Sequence, residues 1–407
     1  MNVLVLGMNY APERTGIAPF TTGLCEFLVQ RGHRVTVATT FPHYPEWETH
    51  RAYAGKWSHT ETCNGVALKR KQVFLPGRAT TARRVLYDTS LGVGVVLSGV
   101  RVPKPDLILG VLPPIQAGAA ARMLARYHRT PYVLWIQDLA LEAAMSVGMM
   151  RESLALRVAR RLEQWTYAGA EKIVVISEGF QETLARHGVP ESKITYLANW
   201  ADTDFFSPAA QNGFRHSYEI SDNTLVVMHA GNMGVKQDLE NVLHAAQQLQ
   251  ERSEIEFLFV GDGSQKNGLM QYAQQARLPN VRFLPLVPND QVPAMLAAAD
   301  ILLLNQHRDM VEAVIPSKLL SYMAAARPIV IAAHSDSTAS HQVRAANCGV
   351  WVQPNQPDAL ANAVMQLARD AELRARLGQR GRAYAEKHFA RETLLCEFEK
   401  LLLNVIK

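Results

Sequence analysis

Short apolar runs recur along this chain, each ending in a glycine or polar loop and followed by a stretch of helical periodicity. The first is Val-Leu-Val-Leu at 3–6, closed by Gly7; a helix is expected over 19–30, stopped by Gly32, and the next strand over 35–38. A continuously apolar strand suits a parallel sheet covered on both faces, and strand, loop, helix, strand at this spacing is the unit of a doubly wound sheet. Further strands are expected at 106–110, 132–136 and 172–176, with helices at 115–127, 154–167 and 177–187. Residues 200–208, Trp-Ala-Asp-Thr-Asp-Phe-Phe-Ser-Pro, break every periodicity. The alternation then resumes, with apolar runs at 225–228, 256–260, 281–284, 301–304, 329–333 and 349–352. Helical stretches at 238–249, 270–276, 293–299 and 357–370 separate them, and terminal helices are expected around 377–384 and 391–403.

At 407 residues the chain exceeds what one core usually supports. The pattern predicts an α/β fold of two Rossmann-like doubly wound domains facing each other across a cleft. The expected boundaries are 1–198, a linker at 199–208, and 209–384, with a C-terminal helix in 385–407 for which the first domain is a candidate packing partner. A hydrophobic content of 48% against 19% charged residues excludes a disordered chain. Cys25, Cys63, Cys348 and Cys396 lie far apart, which gives no metal-type pair and suits reduced thiols in a cytoplasmic protein. The sequence opens directly on a strand, so no cleaved leader is expected, and no window reaches the roughly 18 apolar residues of a spanning helix.

Ligands of such sheets sit beyond the carboxyl ends of the strands. The most telling stretch there is 312–328, Glu-Ala-Val-Ile-Pro-Ser-Lys-Leu-Leu-Ser-Tyr-Met-Ala-Ala-Ala-Arg-Pro, after the apolar run at 301–304. The first N–H groups of a helix have no intrahelical partner and the macrodipole is positive there, so an anion is stabilised at that end. Pro316 is expected at the first helical position, where Ser317 adds a hydroxyl and Lys318 a charge. A capped core helix with a solvated lysine is the competing reading. A second lysine, Lys236, follows the glycine-containing loop 229–237 and favours an anion site.

Four other places qualify. The loop 10–16 ends in Gly16 but has no G-x-G-x-x-G, which removes the main support for a nicotinamide or flavin. His43 and Tyr44 lie among aromatics and prolines in 41–47, a loop suited to an acceptor or simply to packing. Asp138 and Glu142 follow the strand at 132–136, where a carboxylate can serve chemistry or a substrate hydroxyl, with a helix cap as the alternative for Asp138. From Lys69 to Lys104 eight basic residues face the single acid Asp88 around an apolar stretch, which fits either contact with an anionic membrane surface or a core helix with solvated flanks. Nucleic acid is not expected, because no aromatic interleaving or module accompanies this charge. The net charge of +5, with a pI near 9.0, is too mild to argue otherwise. The D-x-D of Asp202 and Asp204 lies in the linker and not after a strand, so it is not taken as a metal site, and no metal is expected.

In order and residues the chain resembles the retaining glycosyltransferases of GT-B family 4, and within it the colanic-acid and O-antigen cluster enzymes. The resemblance spans essentially the full length and is carried by 9–16, 41–47, 135–138, 230–236, 260–263, Ala299-Asp300 and 316–318. It implies that Lys236 and Lys318 hold a donor diphosphate, with Ser317 and the helix amides completing the cradle and Gly16, Gly231, Asn232, Gly261 and Ser321 on the donor side. Glu312 matches the glutamate that contacts the transferred sugar, Asp138 the polar group at the sugar, and His43, Tyr44 and Glu142 fall on the acceptor side. Three departures stand out. Asn232 replaces an arginine, the ribose-binding glutamate falls at Leu320 or Ser321, and a first-domain histidine near Gln137-Asp138 is absent. The implied function is retaining, metal-independent transfer of a sugar from a UDP- or GDP-sugar substrate, without a cofactor, to a lipid-linked or oligosaccharide acceptor in bacterial surface polysaccharide synthesis, in the cytoplasm or at the inner face of its membrane. The alternatives are an inactive nucleotide-binding partner of an assembly complex, or another GT-B enzyme such as a sugar-nucleotide epimerase.

Overall fold

The structure is a computed structural model that describes residues 1–13, 16–43, 47–76, 81–139, 141–142, 154–208, 213–309 and 316–407. Its contacts divide the chain into two units, Met1–Asn199 with Glu392–Lys407, and Trp200–Arg391.

The first unit is built on eight strands: β1 (Asn2–Leu6), β2 (Arg34–Thr40), β3 (Ser58–Cys63), β4 (Val66–Lys71), β5 (Leu107–Leu112), β6 (Tyr132–Ile136), β7 (Lys172–Val175) and β8 (Ile194–Tyr196). Their order is β3-β4-β2-β1-β5-β6-β7-β8, parallel except for β3 on β4. Because β2 and β5 flank β1, with Leu6 opposite both Ala38 and Gly110, the winding reverses at β1 and opens a crevice beyond its carboxyl end. The central strands β5 and β6 are buried throughout, as their unbroken apolar sequence requires. Helices α1 (Ala18–Gln30), α2 (Thr81–Gly99), α3 (Ile115–His128), α4 (Leu154–Ala168) and α5 (Glu178–Arg186) connect these strands.

The β3–β4 hairpin was not expected, and it redraws the basic segment from Lys69 to Lys104. Lys69, Arg70 and Lys71 lie in β4, and Arg70 is 2% exposed, its Nε 2.6 Å from Glu61 Oε1. Its Nη1 donates to Thr40 O at 3.3 Å and its Nη2 to Ala11 O. A guanidinium so occupied is withdrawn from the surface.

The second unit carries six parallel strands in the order β11-β10-β9-β12-β13-β14. They are β9 (Leu225–Ala230), β10 (Ile255–Val260), β11 (Val281–Leu284), β12 (Ile301–Asn305), β13 (Ile329–Ala332) and β14 (Gly349–Val352). Its helices are α6 (Gly213–Ser217), α7 (Leu239–Gln248), α8 (Lys266–Gln275), α9 (Val292–Ala298), α10 (Ser317–Ala324), α11 (Thr338–Ala346), α12 (Pro357–Arg369) and α13 (Ala371–His388). Val227, Leu243, Phe257 and Leu303 belong to its continuous core. The winding reverses between β9 and β12, so the loops after these two strands share one crevice. The expected α/β class with two parallel sheets is what the chain adopts. Helix α13 runs through residue 384, and the last helix, α14 (Arg391–Val405), returns to the first unit. There Glu399 is held by His33 Nε2 at 2.7 Å and Arg31 Nε at 3.2 Å, while Phe398 meets the Trp135 ring edge-on. Among the described residues no helix is long and apolar enough to cross a membrane.

Candidate functional site

In the second unit the crevice is built from three loop starts. β9 ends at Ala230, whose N–H donates to Tyr322 Oη at 3.1 Å and whose carbonyl accepts from the same hydroxyl at 3.2 Å. Tyr322 and Lys318 stand one turn apart on α10, so a single helix face both braces the end of β9 and presents an ammonium beside it. Gly231 follows at φ +118°, and a Cβ there would lie 3.5 Å from Lys318 Nζ. Gly261, at φ +148°, closes on the same backbone: an added Cβ would stand 2.0 Å from Gly231 O. Only glycine allows that approach.

Lys318 is partly buried, burial pushes its ammonium down to about 8, and no described residue accepts a hydrogen bond from it. His229, fully buried in β9, lies close enough to feel that charge. Burial first, and Lys318 second, hold its imidazole well below its ordinary pKa. Its Nε2 is 3.1 Å from Asn232 O; a carbonyl can only accept, so Nε2 carries the hydrogen of a neutral ring.

Pro316 stands one place earlier than expected: it is the N-cap, at φ −68° and ψ 110°, and Ser317 is the first helical residue. The extended ψ is not helical, and among the described residues no side chain caps the first turn. Leu319 N donates to Pro316 O at 2.9 Å, and among the described residues the N–H groups of Ser317 and Lys318 are left for solvent or an anion. Ser317 is exposed, and Ser321 donates back to Lys318 O at 2.9 Å. A cavity of about 160 Å³ adjoins Lys318, walled by Ala230, Val260, Leu286, Val292 and Ser321.

Lys236 is exposed on the single turn Val235–Gln237 after β9. Residues that sequence reasoning missed hold this turn. Asn305, at the end of β12, donates to Gln237 O at 2.7 Å and Asp238 O at 2.8 Å, and is itself fixed by Asn241 at 2.9 Å. His307 N donates to Lys236 O at 2.9 Å, and Gln237 Oε1 accepts from Gly234 N at 3.0 Å. Asn232, in the place of the family's arginine, is exposed, and among the described residues its side chain reaches only Gln237 Oε1, at 3.4 Å. The structure thus brings Lys236, Lys318, Gly231, Asn232, Gly261, Ser317 and Ser321 to adjacent loop starts of one unit. Glu312 lies outside the described residues, as does Tyr44.

In the first unit Gly16, at φ +62°, precedes α1 with open space where a Cβ would point. His43 is 3% exposed, with Nε2 2.8 Å from Tyr87 Oη and Nδ1 2.8 Å from Phe41 O, so both ring nitrogens brace the loop. Its backbone N–H and Asn9 Nδ2 both donate to Glu13, at 2.9 and 2.8 Å. Asp138 is partly exposed just after β6. Glu142 lies 3.4 Å from His187 Nε2. Burial, reinforced by Glu142, raises the neighbouring Glu163 to about 7, a carboxyl that the sequence did not single out.

The model of the glycosyl transferases group 1 matches residues 211–384, and that of a glycosyl transferase 4-like domain matches residues 15–200. The putative colanic acid biosynthesis glycosyl transferase WcaI of Escherichia coli is 31% identical over 407 residues, covering 98% of each chain. Among solved structures, sucrose-phosphate synthase from Thermosynechococcus elongatus superposes with a TM-score of 0.77 at 14% identity, covering 99% of this chain and 98% of that one. The Anabaena protein HepE in complex with UDP does so at 0.73 and 17%, covering 99% and 100%.

Proposed function

The chain belongs to the group 1 glycosyl transferases, and from that premise we propose that it is a retaining, metal-independent enzyme moving a sugar from a nucleotide-diphospho-sugar to a lipid-linked saccharide in bacterial surface polysaccharide synthesis. The observation that carries this reading is Lys318, an ammonium without a partner among the described residues, set at a helix start against glycine backbone. As the bond from the sugar's C1 to the diphosphate breaks, the departing oxygens gain charge, and catalysis depends on meeting that charge as it develops. Lys318, Lys236 and the first amides of α10 meet it here. In the D-x-D, Asp202 Oδ1 accepts from Phe205 N at 2.9 Å, a local turn.

The cavity beside Lys318 takes the nucleoside end of the donor, and Ser321 there stands in for the missing ribose carboxylate. Retention follows when the acceptor hydroxyl attacks from the face that the diphosphate leaves, passing its proton to the departing phosphate oxygen. Asp138 orients that hydroxyl and Glu312 the transferred sugar, both by family resemblance. The name of WcaI supports the polysaccharide role, and the UDP complex of HepE supports a nucleotide-sugar donor. A lipid-linked acceptor would place the enzyme at the inner face of the cytoplasmic membrane, touching it through basic residues between Lys69 and Lys104.

Nucleotide release from UDP- and GDP-sugars in EDTA tests the reading. Release from one donor class, lost in Lys318→Ala, is expected; release only after magnesium or manganese is added contradicts the metal-free site.

A further inference from the structure

Helices α2, α3 and α4 lie side by side in the first unit, α2 against α3 and α3 against α4. They approach closely because small residues meet the neighbour: a Cβ on Gly99 would come 2.3 Å from Leu124 Cδ1, and one on Gly118 2.8 Å from Thr166 Cγ2. Their outward stripes are apolar where a solvated helix would be polar. On α2, Leu86, Val93 and Leu97 share one face at i, i+7 and i+11, each about half exposed. Met123 and Tyr127 continue the stripe on α3, and Val158 and Trp165 on α4. The Arg122 guanidinium lies 4.5 Å over the Trp165 ring and joins the last two helices at the surface.

The charge around this stripe has one sign. Arg83 on α2, Arg126 on α3, and Arg157 and Arg161 on α4 are exposed. The only carboxylates on the three helices are Asp88 and Glu163, and neither is exposed. Asp88 is paired with Arg84 at 3.3 Å. A second copy of this face would set arginine against arginine, and nucleic acid would leave the apolar stripe uncovered. An anionic bilayer matches both parts, with headgroups for the arginines and acyl chains for the stripe between them.

We propose that the α2–α3–α4 layer docks the enzyme on an anionic lipid surface. This rests on the reading of a membrane-linked acceptor, and extends the contact from the segment 69–104 to α3 and α4 while removing Arg70 from it.

Flotation of the whole protein with phosphatidylglycerol vesicles, against pure phosphatidylcholine, is the test. Binding to the anionic vesicles alone is expected, weakening as salt rises above about 0.15 M. Each arginine near the surface is worth about fivefold in partitioning, so the triple variant Arg126→Gln, Arg157→Gln, Arg161→Gln should lose on the order of a hundredfold. Leu86→Ser with Leu97→Ser should bind less tightly at every salt concentration. Both variants alter exposed positions, so their melting midpoints and their rate of nucleotide release in solution should match the parent. Equal binding to neutral vesicles, no binding at all, or full binding by the triple variant overturns the docking face, as does a solution dimer that the triple variant dissolves. Nucleotide release by a protein that ignores vesicles sinks the docking face and leaves the transferase reading standing.

Discussion

The two crevices differ in how their polar groups are spent. In the first unit Asn9, Glu13, His43 and Arg70 are all buried, and the partners seen for each lie within the unit. In the second, among the described residues, Lys318 has no partner and no side chain caps the start of α10. Internal saturation makes a rigid frame whose specificity must come from the loops it carries. Unsatisfied positive charge makes a site that is incomplete until an anion arrives. On the proposed reading the donor side is prepared by electrostatics, the other by shape.

That contrast can be broken, and the largest break is Lys318→Ala. It should lower kcat/KM for the donor about a thousandfold, measured by steady-state nucleotide release. Lys318→Arg should not restore it, because a planar fork does not fit where a point charge meets glycine backbone. Next comes Gly261→Ala, whose methyl would lie 2.0 Å from Gly231 O. It should cost on the order of 3 kcal/mol in urea unfolding and weaken nucleotide binding with it. Asn305→Ala removes the donor from two carbonyls of the Lys236 turn. A loss of about 2 kcal/mol in stability is expected, with donor KM rising more than kcat falls.

The pH dependence sharpens the same point with opposite signs. Burial lowers the Lys318 ammonium from its ordinary 10.5 to about 8, so folding disfavours its charged form. This lysine's penalty on the free protein is present below pH 8 and is relieved as pH rises towards 10.5. Nucleotide binding needs the ammonium and should fall about tenfold per pH unit above 8, a slope that calorimetry can read. The smallest effect at the donor site belongs to the saturated frame. His43→Ala strands the buried Tyr87 hydroxyl and should cost about 2 kcal/mol of stability, yet leave the melting shift given by nucleotide unchanged.

Much of this was legible in the sequence. The continuous apolar strands gave the α/β class, because a strand covered on both faces has no polar alternation to confuse it. Lys318 stood out as an anion-site candidate because it follows Pro316 and Ser317 at a helix start, and the second lysine, Lys236, weighed against a merely solvated charge. The β3–β4 hairpin was missed although Asn64-Gly65, both at positive φ, sits between two alternating runs. The basic composition of Lys69-Arg-Lys71 masked the period-2 pattern that buries Arg70. The amides of Asn241 and Asn305 left no trace, since a side chain bonding a distant carbonyl has no periodicity. The same holds for Glu163, which is raised first by burial and then by Glu142, far from it in sequence.

The central claim is a diphosphate site that needs no metal, and thermal stabilisation measures it most directly. Purified protein would be melted with UDP, GDP, ADP and dTDP in EDTA, with Lys318→Ala alongside. The account predicts a raised midpoint with one nucleotide, lost in the variant. A midpoint unmoved by all four, or an equal shift in Lys318→Ala, would contradict it.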